Sequence, residues 1–165
     1  MTNIITKVMG TALAVCLSTG AFAGVQHKKA KRASEEKITK TVPKTIAACG
    51  NKELKVEIVW ADYDKFITDP ANLKEIDKDK TEWILAKAGV RAQAALEGLA
   101  KLCADKDYKE EVAKLKLIKI HPQAGYKKGR TALTISKDGT NIKILAGHYY
   151  TRNADWFKGN LKKLY

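Results

Sequence analysis

Cys49 and Cys103 place the tightest constraint on this chain, because a bond between them would fasten the approach to its first strand onto the far end of its longest helical stretch. The case for that bond begins upstream. Met1 to Lys7 carries one basic residue, Val8 to about Thr19 is apolar, and Ala21-Phe22-Ala23 precedes Gly24, which is the three-part layout of a cleavable secretion signal. The apolar run of about a dozen residues falls short of the roughly 20 that a membrane-spanning helix needs. Cleavage after Ala23 removes residues 1–23 as the signal peptide and takes Cys16 with them. A lipoprotein signal ending at Cys16 competes with this reading. Val15, however, is bulkier than the small residue that normally precedes a lipidated cysteine, and the apolar run continues to a better cleavage site.

The exported chain then starts at Gly24, with about 142 residues and a net charge of about +12, enough for one domain with its own core. No other apolar stretch approaches membrane-spanning length, so no membrane span is expected. Cys49 and Cys103 reach the periplasm or the medium as the two remaining cysteines, and an oxidising compartment favours their disulfide. Closing a loop of about 54 residues stabilises the fold by roughly 4 kcal/mol in the chain-entropy description. Two reduced buried thiols, or an intermolecular bridge, are the alternatives. Metal binding by the pair lacks a histidine or further cysteine at ligand spacing.

Gly24 to Ser34 has almost no large apolar side chain and carries Lys28, Lys29, Lys31 and Arg32. Residues 24–46 are therefore expected to form a basic, largely flexible arm, with a short helix over about 35–42 that Pro43 ends. A single α+β domain is expected over 47–165. Leu54, Val56, Ile58 and Trp60 alternate with mostly polar residues, which predicts the first strand. A polar connection rich in Asp, with short helix or turns, follows to about Lys80. Thr81 to about Asp105 predicts the longest helix, with Leu85, Ala88, Ala92, Leu96, Leu99 and Cys103 on one face and Lys87, Arg91, Lys101 and Asp105 on the other. Gly89 and Gly98 in that helix mark a kink or an approach to another backbone.

Asp107 is placed to cap a short helix running to Lys114. Leu117 to His121 predicts a strand that Pro122 ends, and the phase slip at Leu117-Ile118 is read as a bulge or as burial of both faces. Asp138-Gly139 predicts a two-residue hairpin turn that pairs Leu133 with Ile144, Thr134 with Lys143 and Ile135 with Ile142. Asn153 or Asp155 caps a terminal helix. The order predicts an α+β fold: an antiparallel sheet of about four strands, with a long helix, a short helix and a C-terminal helix packed on one face, and one disulfide.

Asp62 and Asp64 sit two apart after the first strand, where their carboxylates could project together to hold a cation or share a proton, although turn and cap formation are the commoner uses of such residues. Asp77 and Asp79 lack the glycine and glutamate of a calcium loop and suit a helix entry better. His121, and His148 at the head of His148-Tyr149-Tyr150-Thr151-Arg152, are candidates for acid–base chemistry, with Tyr149 or Arg152 steadying negative charge, as a small hydrolase or effector would need. No nucleophile elbow, H-E-x-x-H helix, Walker loop or dinucleotide fingerprint is present, so no cofactor or metal is implied and the chain leans away from familiar enzyme classes.

The charge points instead to binding. Lys28 to Arg32, then Lys114, Lys116 and Lys119, then Lys127-Lys128-Gly129-Arg130 and Lys162-Lys163 are basic clusters suited to phosphate- or sulfate-bearing polymers, with Lys127, Lys128, Arg130 and Arg152 as binding candidates. Lipopolysaccharide, acidic glycans and DNA are the candidate polyanions in the envelope or medium, and a protein partner is the other candidate. A solvated basic surface with no dedicated partner competes with both.

Overall fold

The computed structural model describes residues 19–74, 81–123, 130–147 and 151–165, with side chains from Gly24 onward. Its elements in chain order are α1 (Thr19–Cys49), β1 (Lys55–Ile58), α2 (Trp60–Thr68), α3 (Pro70–Leu73), α4 (Thr81–Cys103), α5 (Lys106–Ala113), β2 (Leu117–Pro122), β3 (Ala132–Ile135), β4 (Asn141–Ala146) and α6 (Ala154–Leu161). The fold is α+β, and among the described residues it has six helices and one four-stranded sheet.

The sheet is mixed, which corrects the expectation of an antiparallel one. Its order is β1-β2-β4-β3; β1–β2 and β2–β4 are parallel, and only β3–β4 is antiparallel. Alternation of apolar and polar residues reveals a buried face but is blind to strand direction. Direction is set by the connections. Between β1 and β2 lie α2 to α5, the long helical crossover that a parallel pair requires. Between β2 and β4 the chain goes out to the edge, makes β3, and returns.

The hairpin register is as the sequence predicts, with Leu133 opposite Ile144, Thr134 opposite Lys143 and Ile135 opposite Ile142. Its turn is different. The Gly139 N–H donates to the Ser136 carbonyl at 2.9 Å, so Lys137 and Asp138 occupy the corners and Gly139 follows at φ 71, a conformation that glycine adopts without steric cost. No bulge accompanies the phase slip in β2, since pairing with β4 runs unbroken from Leu117 to Pro122. Leu117 instead faces outward and is half-buried, while Ile118 and Ile120 point into the core.

Residues 24–46 are not a flexible arm. They belong to α1, whose Ala30, Ser34, Ile38, Thr41, Thr45 and Cys49 are buried at helical spacing. His27 meets Thr81, Ser34 meets Gly89, Thr45 meets Leu96 and Cys49 bonds Cys103. Partners that rise together in number mean that α1 and α4 run parallel. The seam needs few large apolar groups because small residues let the backbones close: a Cβ on Gly89 would lie 2.4 Å from Ser34 Cα. The Ser34 hydroxyl donates to the Leu85 carbonyl at 2.8 Å and accepts from the Gly89 N–H at 3.1 Å, inserting itself into the α4 ladder. Pro43 lies within α1 and does not end it. It leaves the Thr39 carbonyl without its helical donor, a cost that docking on both sides of Pro43, at Ile38, Thr41, Thr45 and Cys49, offsets.

The predicted disulfide joins Cys49 to Cys103, with Cα atoms 5.0 Å apart and both residues buried. α4 lies between the α1 seam and the sheet, and its other flank packs on α6, where a Cβ on Gly98 would meet Phe157 and the Ala154 carbonyl. Enclosure on several sides also explains why Arg91, assigned to the polar face by periodicity, is buried. The same burial pushes the Tyr63 hydroxyl up to about 12, opposed by the Arg91 charge. Asp105 rather than Asp107 caps α5, accepting from the Asp107 N–H, and Asn153 caps α6 through the Trp156 N–H at 2.9 Å. Trp60, assigned to the first strand by alternation, is the first residue of α2.

Candidate functional site

Inward-facing Ile58, Ile118, Ile120, Ile142, Ile144 and Ala146 put one side of the sheet into the core. The residues that alternate with them form the other side, bordered by α1 at the β1 edge and by α2 at His121. Register assembles this outer face in rows: Glu57, Lys119, Lys143 and Thr134 form one, flanked by Lys55, Leu117 and Asn141 on one side and by His121, Leu145 and Ala132 on the other. Lys119, His121, Thr134, Ser136, Asn141 and Lys143 contribute to a shallow concavity of about 460 Å3. Lys119 and Lys143 are direct neighbours across a strand pair, a like-charge arrangement that costs stability. Glu57 compensates Lys119 loosely, at 3.6 Å.

At the end of β2, His121 Nδ1 lies 2.7 Å from Asp62 Oδ2, joining the sheet to the first turn of α2. This hydrogen bond holds the Asp62 carboxyl below the usual carboxylate range; slight desolvation opposes it, and the nearby Lys65 and Lys143 charges add to it. An ionised Asp62 favours the proton on Nδ1, which leaves Nε2 for solvent or a ligand. The His121 side chain keeps 17% of its surface exposed.

Asp62 and Asp64 do not converge, contrary to the strand-end picture. They lie on a helix, where residues two apart point to opposite sides. Asp64 accepts from Lys31 Nζ at 2.6 Å, while Trp60 Nε1 donates to Glu35 at 2.6 Å and Lys31 sits 5.5 Å from the Trp60 ring. These contacts fasten α2 to α1 and leave Asp64 in a structural role. Among the described residues no group of three or more His, Cys, Asp or Glu side chains is placed to hold a metal ion. Among the same residues no helix is long and apolar enough to cross a membrane.

Of the binding candidates, Arg130 is exposed just ahead of β3, and the Arg152 guanidinium lies 5.2 Å from the Trp156 ring. Lys127, Lys128, His148 and Tyr149 lie outside the described residues, as do Asp77 and Asp79. The adjacency of Lys119, His121 and Lys143 escapes sequence reasoning, because it exists only once β2 pairs with β4. Alternation does place Lys119 and His121 on one face of β2, and that was the one available signal. Comparison with known proteins returns no matching family model, no matching curated protein and no matching solved structure.

Proposed function

We propose that this chain is a small exported, disulfide-bonded basic protein of the periplasm or medium that binds anionic envelope material through its surface and is not a catalyst. Lipopolysaccharide, acidic glycan and DNA share the chemistry this surface suits; an acidic protein partner is the other occupant of the same class of site. The observation that carries the reading is α1. Its helical spacing sets the exposed Lys29, Lys40 and Lys44, with the half-buried Lys37 beside them, along one flank of the helix over about 22 Å at 1.5 Å per residue. Seam contacts and the disulfide hold that row rigidly, so a polyanion binds without first ordering an arm. A buried disulfide accords with export.

The test is retention of the oxidised protein on immobilised heparin and lipopolysaccharide across a salt gradient. Salt-sensitive retention is expected, because neutralising several anionic groups releases counterions. Reversing Lys29, Lys40 and Lys44 to Glu should shift elution to markedly lower salt. Elution unchanged by that triple substitution would rule out the α1 surface. Sequencing the N-terminus of protein recovered from its own compartment checks cleavage at Gly24.

The Asp62–His121 hydrogen bond favours a second reading, a small secreted hydrolase or effector. A carboxylate on Nδ1 orients an imidazole whose Nε2 can move a proton, and the Thr134 hydroxyl lines the same concavity. Hydrolysis of ester or phosphodiester substrates that survives replacement of both His121 and His148 would remove it.

A further inference from the structure

The outer face of the sheet is a second cationic surface: α1 borders it at the β1 edge, where Thr39, Val42 and Pro43 share a concavity with Lys55, Glu57 and Leu117, while Lys119 and Lys143 stand farther in, on β2 and β4. We propose that it holds a phosphate group, free or as a monoester, between Lys119, Lys143 and His121. This rests on the reading of the protein as an anion binder and gives that reading a defined, small site.

Three observations converge. Lys119 and Lys143 stand opposite one another on β2 and β4, strands about 4.8 Å apart. That spacing lets two ammonium groups converge on one tetrahedral oxyanion, and it accounts for a like-charge pair that would otherwise only cost stability. Both are lysines, which recognise phosphate as point charges; the planar fork that arginine offers a carboxylate is missing from this row. His121, next along β2 on the same face, is held by Asp62 through Nδ1, so its Nε2 stands at the rim as an acceptor suited to the P–OH of a phosphate monoanion, and Thr134 places a hydroxyl at the far side of Lys143.

The carboxylates set the limits of the site. Asp62 is engaged by His121, and Lys65 also acts on it. Glu57 pairs with Lys119 at 3.6 Å with both side chains about half exposed, a contact worth little in water and readily exchanged for phosphate. Glu57 is thus a competitor of the ligand, which gives the proposal a signature that a generic basic patch lacks.

Titration of the 15N-labelled oxidised protein with inorganic phosphate, and separately with glycerol 3-phosphate, tests it at constant ionic strength against chloride. Saturable shifts centred on Lys119, His121, Thr134 and Lys143 are expected. Lys119→Gln with Lys143→Gln should weaken binding by about tenfold or more, and Glu57→Gln should tighten it by about threefold. Equal affinities assign the site to the phosphate group alone, and tighter glycerol 3-phosphate assigns it to the monoester. Shifts that chloride reproduces, a folded double variant that binds like the parent, or Glu57→Gln without gain would overturn the site. Heparin retention without saturable phosphate shifts overturns this site and spares the polyanion reading. Phosphate shifts that persist in the α1 triple variant show that the two surfaces act separately.

Discussion

α4 makes two seams of opposite chemistry. Towards the sheet it turns Ala88, Ala92, Leu99 and Leu102, all fully buried, in a core shared with Ile118, Ile120, Ile142 and Ile144. Towards α1 it meets Ser34, Thr41 and Thr45, places Gly89 against the Ser34 backbone, and ends in a disulfide. The first seam is held by the area of apolar surface removed from water. The second is held by close approach, by hydroxyls bonded to the Leu85 and Leu96 carbonyls, and by one covalent link. A helix without a broad apolar face can therefore dock firmly if its partner supplies the right gaps.

Breaking the covalent link should produce the largest effect. Cys49→Ser with Cys103→Ser is expected to lower unfolding free energy by roughly 4 kcal/mol in urea titrations. Amide exchange should show protection lost along α1 while β2 stays protected; equal loss in both would mean that the seams are one cooperative unit. Ile120→Ala attacks the other seam and should cost about 3 kcal/mol through lost burial and a residual cavity. Its exchange pattern should differ, with protection falling in β2 and β4 as well as in the helices.

Gly89→Ala comes next, at about 2 kcal/mol, because the new methyl group collides with backbone rather than with a movable side chain. Combining it with the double serine variant should give less than the sum, since both loosen the same seam; strict additivity would show that they act apart. The smallest effect lies outside both seams. Hydrogen bonds from the Ser136 and Thr140 side chains and from the Thr140 N–H bring the exposed Asp138 down from 3.8 to about 2. A carboxyl depressed on folding adds stability above its unfolded pKa and loses it as pH falls through the folded one. The hairpin should accordingly fray between about pH 4 and pH 2 in an NMR titration, with both seams unchanged.

The same contrast explains what could be read from the sequence. α4, α6 and the β3–β4 register are encoded locally, in helical spacing and strand alternation, and the disulfide was legible because Cys49 and Cys103 are the two of three cysteines that lie outside the N-terminal apolar segment. α1 is not, because Ala30, Ser34, Thr41 and Thr45 look like surface residues until Gly89 and Leu96 are known to lie opposite. Strand direction was equally hidden, and with it the Lys119–Lys143 pair, which depends on how β2 and β4 meet. Asp62 and His121 were each visible as candidates, but their hydrogen bond spans 59 positions in sequence and no local pattern links them.

The position of β4 also governs how the chain can acquire its structure. Among the described strands β4 comes last in the chain, yet it sits inside the sheet between β2 and β3. Until residue 146 is free to pair, β2 has an open flank and Ile118 and Ile120 lack half of their cover. Pairings this distant in sequence slow folding and prolong the exposure of apolar strands. Stable pairing of β2 therefore waits for the C-terminal third of the chain, and the central position of β4 makes the late residues the ones that close the sheet.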